Sequence, residues 1–131
     1  MSNWDLQVAA RTLWQEARGE PLEGQQAVAH VIVNRRASGR WGSTLASVCL
    51  WHAQFSGWNS ADPNFKAACA LPDDDPILQK MVTIVTAAES DPDSTHGAQF
   101  YYAASIPEPS WVVNATFCGK FGSQIFYKDV L

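Results

Sequence analysis

The sequence lacks the clusters of basic residues that nucleic-acid-binding surfaces carry. Its net charge is −4 over 131 residues, and its densest basic run is the pair Arg35 and Arg36. Binding to a phosphate backbone requires a basic face, and this chain has none. We therefore expect no nucleic acid among its partners.

Long hydrophobic runs are also missing. No segment approaches the roughly 20 apolar residues that a membrane-spanning helix needs. Near the N-terminus, Trp4, Asp5 and Gln7 stand where a secretory signal peptide would have an apolar run. The sequence thus predicts a protein made in a cytoplasm, with no membrane insertion and no export by the common route.

Cysteine is scarce, and metal-binding motifs are absent. The three cysteines are an odd number, so at most one internal disulfide can form, and we expect reduced, buried thiols. Their spacing matches no zinc motif. The acidic run 73–75 lacks the alternating ligands of a calcium loop, and Asp75 before Pro76 is typical of a helix N-cap. No metal or other cofactor is expected.

What the chain has is apolar and aromatic content sufficient for a core. Nearly half of its residues are apolar and six are Trp, and with 131 residues and no internal repeat or linker the chain predicts one domain over residues 1–131. Since the sequence has no heptad pattern and no long edge strand, a monomer is the default expectation. Apolar spacing predicts a mainly α (α+β) fold. The expected helices cover residues 5–17, 22–37, 44–50, 62–70 and 77–90, with Asp5 and Ser43 as the first and third N-caps. Residues 98–103 and 124–127 have strand composition and are expected to pair as a small β ribbon in the C-terminal third.

The second predicted helix has the composition of a buried element. Residues 27–33 are apolar on nearly every side, which is typical of a helix enclosed by the core. His30 is the exception, and we interpret it as a core histidine with a hydrogen-bonded ring.

One carboxylate borders the apolar face of the first helix. Glu16 lies three residues after Leu13 and seven after Ala9, which both belong to that face. Burial raises the pKa of a carboxyl group, so Glu16 is expected to hold a proton near neutral pH and to act as a general acid. Glu20 and Glu23 lie beyond the turn, where a carboxylate simply complements the helix dipole.

Residues 51–59 mix aromatic side chains with Gln, Ser, Asn and His. Such a mixture suits a sugar-binding groove, because aromatic faces stack on sugar rings while polar groups bind hydroxyls. A loop whose two Trp side chains are tucked into the core fits the same residues, and both interpretations stay open at this point.

The run from Glu16 to Arg35, which begins Glu-Ala-Arg-Gly-Glu-Pro, resembles the signature of the SleB-type cell wall hydrolases. This family comprises spore cortex-lytic enzymes and related phage endolysins. Residues 54–56, 97–102 and 121–127 match later pieces of the family pattern, in the same order. The resemblance spans almost the whole chain and implies a lysozyme-like catalytic domain that acts on bacterial peptidoglycan.

The same resemblance assigns site residues. It implies that Glu16 is the catalytic acid/base and that Gln54, Ser56 and Tyr101 surround the substrate groove, with Tyr102 as a further member. Gln124 stands where the family often has His, which leaves its role unassigned.

Two mechanisms follow for the bond between N-acetylmuramic acid (MurNAc) and N-acetylglucosamine (GlcNAc). The favoured prediction is a lytic transglycosylase, in which Glu16 alone is acid and base and the product is 1,6-anhydro-MurNAc. The alternative is a muramidase with a second carboxylate, chosen from Glu20, Glu23 and Asp62. Glu20 is the foremost of these, although an ion pair with Arg18 would give it a structural role instead.

Two rival functions belong to other classes. One is a cysteine amidase or peptidase that pairs a Cys with His52 or His96, and the other is a non-catalytic peptidoglycan-binding protein. As a bare catalytic domain, the chain resembles a phage endolysin that stays in the host cytoplasm until lysis. A separate membrane-permeabilising protein would then release it to the wall.

Overall fold

The computed structural model describes residues 2–51, 55, 58 and 62–131. Within these ranges the chain forms five α-helices and a three-stranded antiparallel sheet, which confirms the predicted mainly α (α+β) class. The elements are α1 Asn3–Ala17, α2 Leu22–Ser38, α3 Leu45–Leu50, α4 Pro63–Ala70, α5 Pro76–Ala88, β1 Phe100–Ala103, a 3-10 helix Ser110–Val112, β2 Thr116–Phe121 and β3 Gln124–Lys128. None of the described helices is both long enough and apolar enough to cross a membrane.

Two helices begin at a different cap from the one predicted. The N-cap of α1 is Ser2, and the backbone N–H of Asp5 donates to its hydroxyl at 3.1 Å. The N-cap of α3 is Thr44, whose hydroxyl accepts from the N–H of Ser47 at 3.0 Å. In both cases the side chain three residues on reaches back to the cap, forming a capping box. The predicted caps Asp5 and Ser43 have only apolar residues at that spacing.

The cap of α5 is as predicted. Asp75 accepts hydrogen bonds from the N–H groups of Ile77 and Leu78, and Pro76 occupies the first helical position. Asp62 caps α4 in the same manner, ahead of Pro63. Proline suits this position because its missing N–H would have no partner there in any case.

Helix α2 lies at the centre of the core, as predicted. Residues 27–32 are all buried, and they pack with the buried faces of α1, α3 and α5. His30 is 6% exposed. Its Nδ1 lies 3.9 Å from the nearer Asp93 oxygen, which is too long for a hydrogen bond. The buried position of His30 is therefore confirmed, whereas the predicted hydrogen bond of its ring is not found among the described residues.

The sheet has the order β1-β3-β2, so β3 is central. Strands β1 and β3 form the predicted ribbon, with Tyr101 opposite Phe126. Strand β2 was not predicted. A bulge between Phe117 and Gly119 leaves Cys118 without a partner across the strand, and the apolar alternation that would reveal the strand is broken there.

The cysteines are free, but they are not all buried as predicted. Cys49 is buried in the core, Cys118 is partly buried, and Cys69 lies on the exposed side of α4. Only Ala68 is fully buried in that short helix, and Cys69 is among its exposed positions.

Candidate active site

The candidate catalytic carboxylate lies in the last turn of α1. The helix ends at Ala17, and the N–H of Glu20 closes the following turn by donating to the Ala17 carbonyl at 3.0 Å. Helix α2 starts after Pro21. This short junction holds Glu16, which is partly buried, against the N-terminal end of the central helix.

Tyr101 contacts this carboxylate directly. Its hydroxyl lies 2.7 Å from Oε1 of Glu16, although 85 residues separate the two in sequence. The Tyr101 ring stacks on Phe126 of the central strand, with ring centroids 5.3 Å apart. Burial and the adjacent Glu16 carboxylate raise the pKa of Tyr101 well above its usual range, so its hydroxyl stays protonated and donates a hydrogen bond to Glu16.

The environment of Glu16 favours its protonated form. Burial raises the pKa of Glu16, and the negative charge of Asp62 adds to that effect. The Tyr101 hydrogen bond and the positive charge of Arg35 act in the opposite direction, but burial outweighs them. The structure therefore gives Glu16 the raised pKa that a general acid needs.

A buried arginine lies close to this pair. Arg35 is 4% exposed, and its Nε donates to the carbonyl of Gln99 at 2.7 Å. Its guanidinium carbon lies 5.0 to 5.2 Å from the ring centroids of Trp41, Phe55 and Phe100. Arg35 was not among the predicted site residues. Its spacing, four residues after Val31 and seven after Val28 on the buried face of α2, was the signal that could have revealed it.

Tyr102 does not join Tyr101 at Glu16. Successive side chains of a strand point to opposite faces, so Tyr102 lies on the other side of the sheet. There its ring stacks on Tyr127 at 6.0 Å and meets Trp111 edge to face at 5.9 Å.

Glu20 has a structural partner, but it is not the predicted one. Its carboxylate accepts from the N–H and the hydroxyl of Ser123, each at 2.8 Å. Arg18 instead donates to the Trp14 carbonyl and to Asn64, and its guanidinium lies 3.9 Å above the Trp14 ring centroid. The predicted Arg18–Glu20 ion pair is therefore wrong, because Arg18 turns back along α1.

The other two candidate carboxylates differ in their relation to Glu16. Glu23 is exposed in the first turn of α2. Asp62 is close enough for its charge to raise the Glu16 pKa, and neither Glu20 nor Glu23 has such an effect. Among the predicted second carboxylates, Asp62 is thus the one whose charge acts on Glu16.

Several predicted site residues fall outside the described ranges. These are Gln54 and Ser56, whose assignment to the groove stays a prediction, and also His52. Phe55 is buried, and the indole N–H of Trp58 donates to the Thr12 hydroxyl at 2.7 Å. Trp51 is 47% exposed. Of the two Trp side chains in this stretch, one is thus anchored to α1 and the other faces solvent.

The buried thiol of Cys49 does not suit the nucleophile of a cysteine amidase. Burial raises the pKa of Cys49 to about 12, which leaves almost no thiolate at neutral pH. His96, one of the two histidines considered for that role, is exposed.

A cavity of about 560 Å³ lies between α2, α5 and residues 91–94. Leu22, His30 and Lys80 are among the residues that line it, whereas Glu16 and Tyr101 are not. The candidate catalytic pair therefore lies outside this cavity.

Gln124 starts the central strand β3, where it pairs with Ala103 and Phe121. Its side-chain oxygen is buried and has no hydrogen-bond partner among the described residues. Within the described part of the chain no hydrogen bond joins it to Glu16, and its role stays unassigned.

The chain belongs to the cell wall hydrolase family, whose sequence model matches residues 19–127. It is also similar to spore cortex-lytic enzymes. The identity is 30% to the enzymes of Oceanobacillus iheyensis and Bacillus cereus, and 29% to that of Bacillus subtilis. Each comparison covers 95% of this chain and 41%, 44% and 38% of the respective relative. The chain thus spans about two fifths of the length of these relatives.

Two solved structures share the fold. The catalytic domain of the germination-specific lytic transglycosylase SleB from Bacillus anthracis has a TM-score of 0.78 at 28% identity, covering 98% of this chain and 97% of that one. The catalytic domain of Bacillus cereus SleB has the same score and identity, with coverage of 97% and 91%. The predicted family and the lysozyme-like fold class are confirmed, and the prediction of an enzyme agrees with both comparisons.

Proposed function

We propose that this chain is a lytic transglycosylase that cleaves peptidoglycan between MurNAc and GlcNAc, with Glu16 as both acid and base. The observation that carries the proposal is the pairing of a partly buried carboxyl with a tyrosine hydroxyl at 2.7 Å. That pairing lets a single group exist in both of the protonation states that the reaction needs.

In the first step, Glu16 acts as an acid. Burial raises its pKa and so favours the protonated form, which donates the proton to the glycosidic oxygen as the bond to the MurNAc anomeric carbon breaks. The Tyr101 hydroxyl occupies Oε1, so Oε2 is the oxygen that would carry this proton. The leaving GlcNAc end becomes a free hydroxyl.

In the second step, Glu16 acts as a base. Now ionised, it removes the proton from the 6-hydroxyl of the same MurNAc, and that oxygen attacks the anomeric carbon to close the 1,6-anhydro ring. Glu16 is protonated again and no water is consumed. The Tyr101 hydrogen bond stabilises the ionised stage, because hydrogen bonds to a charged acceptor are stronger than those to a neutral one.

The similar proteins support this choice of chemistry. The Bacillus anthracis structure is described as a lytic transglycosylase catalytic domain, and this chain covers 97% of it. That coverage also supports the proposal that residues 1–131 act as one catalytic domain. The predicted phage-endolysin context, the release partner and the monomeric state stay predictions.

A muramidase remains the second candidate, because Asp62 is close enough to raise the Glu16 pKa. In that case Asp62 would activate a water or act as the nucleophile, and hydrolysis would leave reducing MurNAc ends. The cap that Asp62 provides for α4 would then be a second task for the same carboxylate.

Mass spectrometry of fragments released from purified peptidoglycan decides between these reactions. We expect products one water lighter than hydrolysis products, which borohydride does not reduce, and no products from Glu16→Gln. Borohydride-reducible MurNAc ends that disappear in Asp62→Asn would establish the muramidase. Reducing GlcNAc ends or freed peptides would overturn the bond assignment, and binding without products would support the non-catalytic alternative.

A further inference from the structure

The core contains a positively charged side chain that forms no ion pair among the described residues. Arg35 is 4% exposed, and within the described ranges no carboxylate oxygen lies within 4 Å of its guanidinium. Removing a charge from water costs several kcal/mol unless nearby groups offset it. Arg36, the next residue on the same helix, pairs with Glu89 at the surface through two hydrogen bonds of 2.6 Å. Because a buried charge without an ion-pair partner lowers stability, its presence indicates a functional role.

Aromatic rings explain how the fold tolerates this charge. The guanidinium carbon lies 5.0 Å from the ring centroids of Trp41 and Phe55, and 5.2 Å from that of Phe100. The face of each aromatic ring attracts a cation electrostatically, which partly offsets the loss of water around the guanidinium. A guanidinium stacks well in such a site, whereas a compact, strongly hydrated ammonium does not. The rings therefore hold Arg35 in one orientation while leaving its charge unneutralised.

Arg35 acts on Glu16 and Tyr101 in two ways. The Nε of Arg35 donates to the carbonyl of Gln99, two residues before Tyr101, so Arg35 tethers the segment that leads into β1. Its electrostatic field reaches the Glu16 carboxyl, the Tyr101 hydroxyl and the Cys49 thiol. Other charges in the surroundings are Asp62, which acts on Glu16, and Arg40, which acts on Arg35.

We propose that Arg35 is a positioning residue that holds the Tyr101 segment in place and supplies the positive charge that stabilises ionised Glu16. This role rests on the proposed function, since only a group that is acid and then base needs help in its charged state. Without Arg35, a desolvated Glu16 would be a weaker acid, and transferring its proton would cost more. Because the charge is already in place, no reorganisation accompanies the reaction.

A titration of the Glu16 carboxyl carbon by NMR tests the charge effect without any substrate. The variants are Arg35→Gln, Arg35→Lys and, as a matched control, Arg36→Gln, with Glu16→Gln for assigning the signal. We expect Arg35→Gln to raise the Glu16 pKa by roughly one unit. Arg36→Gln should leave the pKa unchanged, and Arg35→Lys should fall between the two. An unchanged pKa in folded Arg35→Gln would overturn the proposal.

The wild-type protein provides a test that does not depend on a folded Arg35 variant. The Nε–H of Arg35 is buried and hydrogen-bonded, so its signal should be observable and should shift as Glu16 ionises. In Glu16→Gln the shift should disappear. If it persists there, or is absent in the wild type, Arg35 does not sense Glu16 and the proposal fails.

The catalytic readout is the pH profile of kcat/KM on peptidoglycan. The reactive form of the free enzyme carries protonated Glu16, so activity falls as pH rises through the Glu16 pKa. Arg35→Gln should lower kcat/KM at least about tenfold and move this alkaline limb to higher pH, since the lost cation favoured ionised Glu16. A purely structural role would lower activity without moving the limb. A shift of the NMR pKa in a protein inactive on peptidoglycan would instead refute the proposed function and leave the Arg35–Glu16 coupling intact.

Discussion

Two adjacent tyrosines of β1 show how one position along a strand separates a site residue from a packing residue. Tyr101 faces the helices and donates to Glu16, while Tyr102 faces Trp111 and Tyr127. The resemblance placed both around the groove. The alternation of a strand allows only one of them to reach the carboxylate.

Removing each hydroxyl in turn tests this division. Tyr101→Phe keeps the ring on Phe126 but removes the hydrogen bond to Glu16. We expect kcat to fall about tenfold or more, since a hydrogen bond to a charged group is worth roughly 1.5–3 kcal/mol. Tyr102→Phe should keep activity within about twofold. Rates of glycan-strand cleavage by the two purified variants provide the comparison, and equal losses would contradict the assignment.

At the scale of elements, the turn between β2 and β3 is fastened to the α1–α2 junction. Glu20 accepts two hydrogen bonds from Ser123, and its carboxylate lies against Gly122. A Cβ built on Gly122 would lie 2.6 Å from a Glu20 oxygen, and φ at this glycine is +62°. Only glycine fits this turn without strain, because it has no side chain to clash there. The contact fixes the end of the sheet next to the helix that carries Glu16.

Loss of the contact between Glu20 and Ser123 should lower the stability of the fold and leave turnover largely unchanged. We expect Glu20→Ala to lower the free energy of unfolding by about 1–2 kcal/mol, because Ser123 loses both of its acceptors. Glu23→Ala, which alters an exposed carboxylate of the next turn, is the control and should change stability little. Urea unfolding measures both variants. A loss of turnover in folded Glu20→Ala as severe as that in Glu16→Gln would instead make Glu20 a participant in the reaction.

At the scale of the whole molecule, the buried carboxyl of Glu16 lowers the stability of the fold when it is ionised. Burial raises the Glu16 pKa, so the folded protein binds this proton more tightly than the unfolded chain does. The contribution of Glu16 to stability is therefore fully present below the unfolded pKa of about 4.3 and is lost as pH rises through the folded pKa. Near neutral and alkaline pH the carboxylate is a net burden on folding.

Glu16→Gln should therefore be more stable than the wild type at pH 8, although we expect it to be inactive. The amide keeps an acceptor for Tyr101 but has no charge to desolvate, and each pKa unit of difference is worth about 1.4 kcal/mol. The advantage in melting temperature should shrink toward pH 4, where the wild-type carboxyl is protonated too. Thermal unfolding at both pH values measures it. If Glu16→Gln is less stable than the wild type at pH 8, burial of the ionised Glu16 carboxylate does not destabilise the fold.

The sequence by itself determined the helices, the buried character of α2, the ribbon of β1 and β3 and the choice of Glu16. These follow from spacing along a single element, where apolar periodicity, proline and capping residues act locally. It missed β2, because a bulge at Cys118 breaks the alternation. The caps of α1 and α3 were placed wrongly, because Ser2 and Thr44 each gain a reciprocal contact from the residue three positions on, which the predicted caps cannot form.

Only the tertiary structure decided which distant groups meet Glu16. It placed the Tyr101 hydroxyl against the carboxyl and brought Arg35 within electrostatic range of it. It also turned Tyr102 away and paired Glu20 with Ser123 rather than with Arg18. Such contacts join residues up to 103 positions apart in the chain, and no local pattern encodes them. The raised pKa of Glu16 has the same origin: a helix face makes burial possible, but desolvation and the nearby charges of Arg35 and Asp62 depend on how the elements pack.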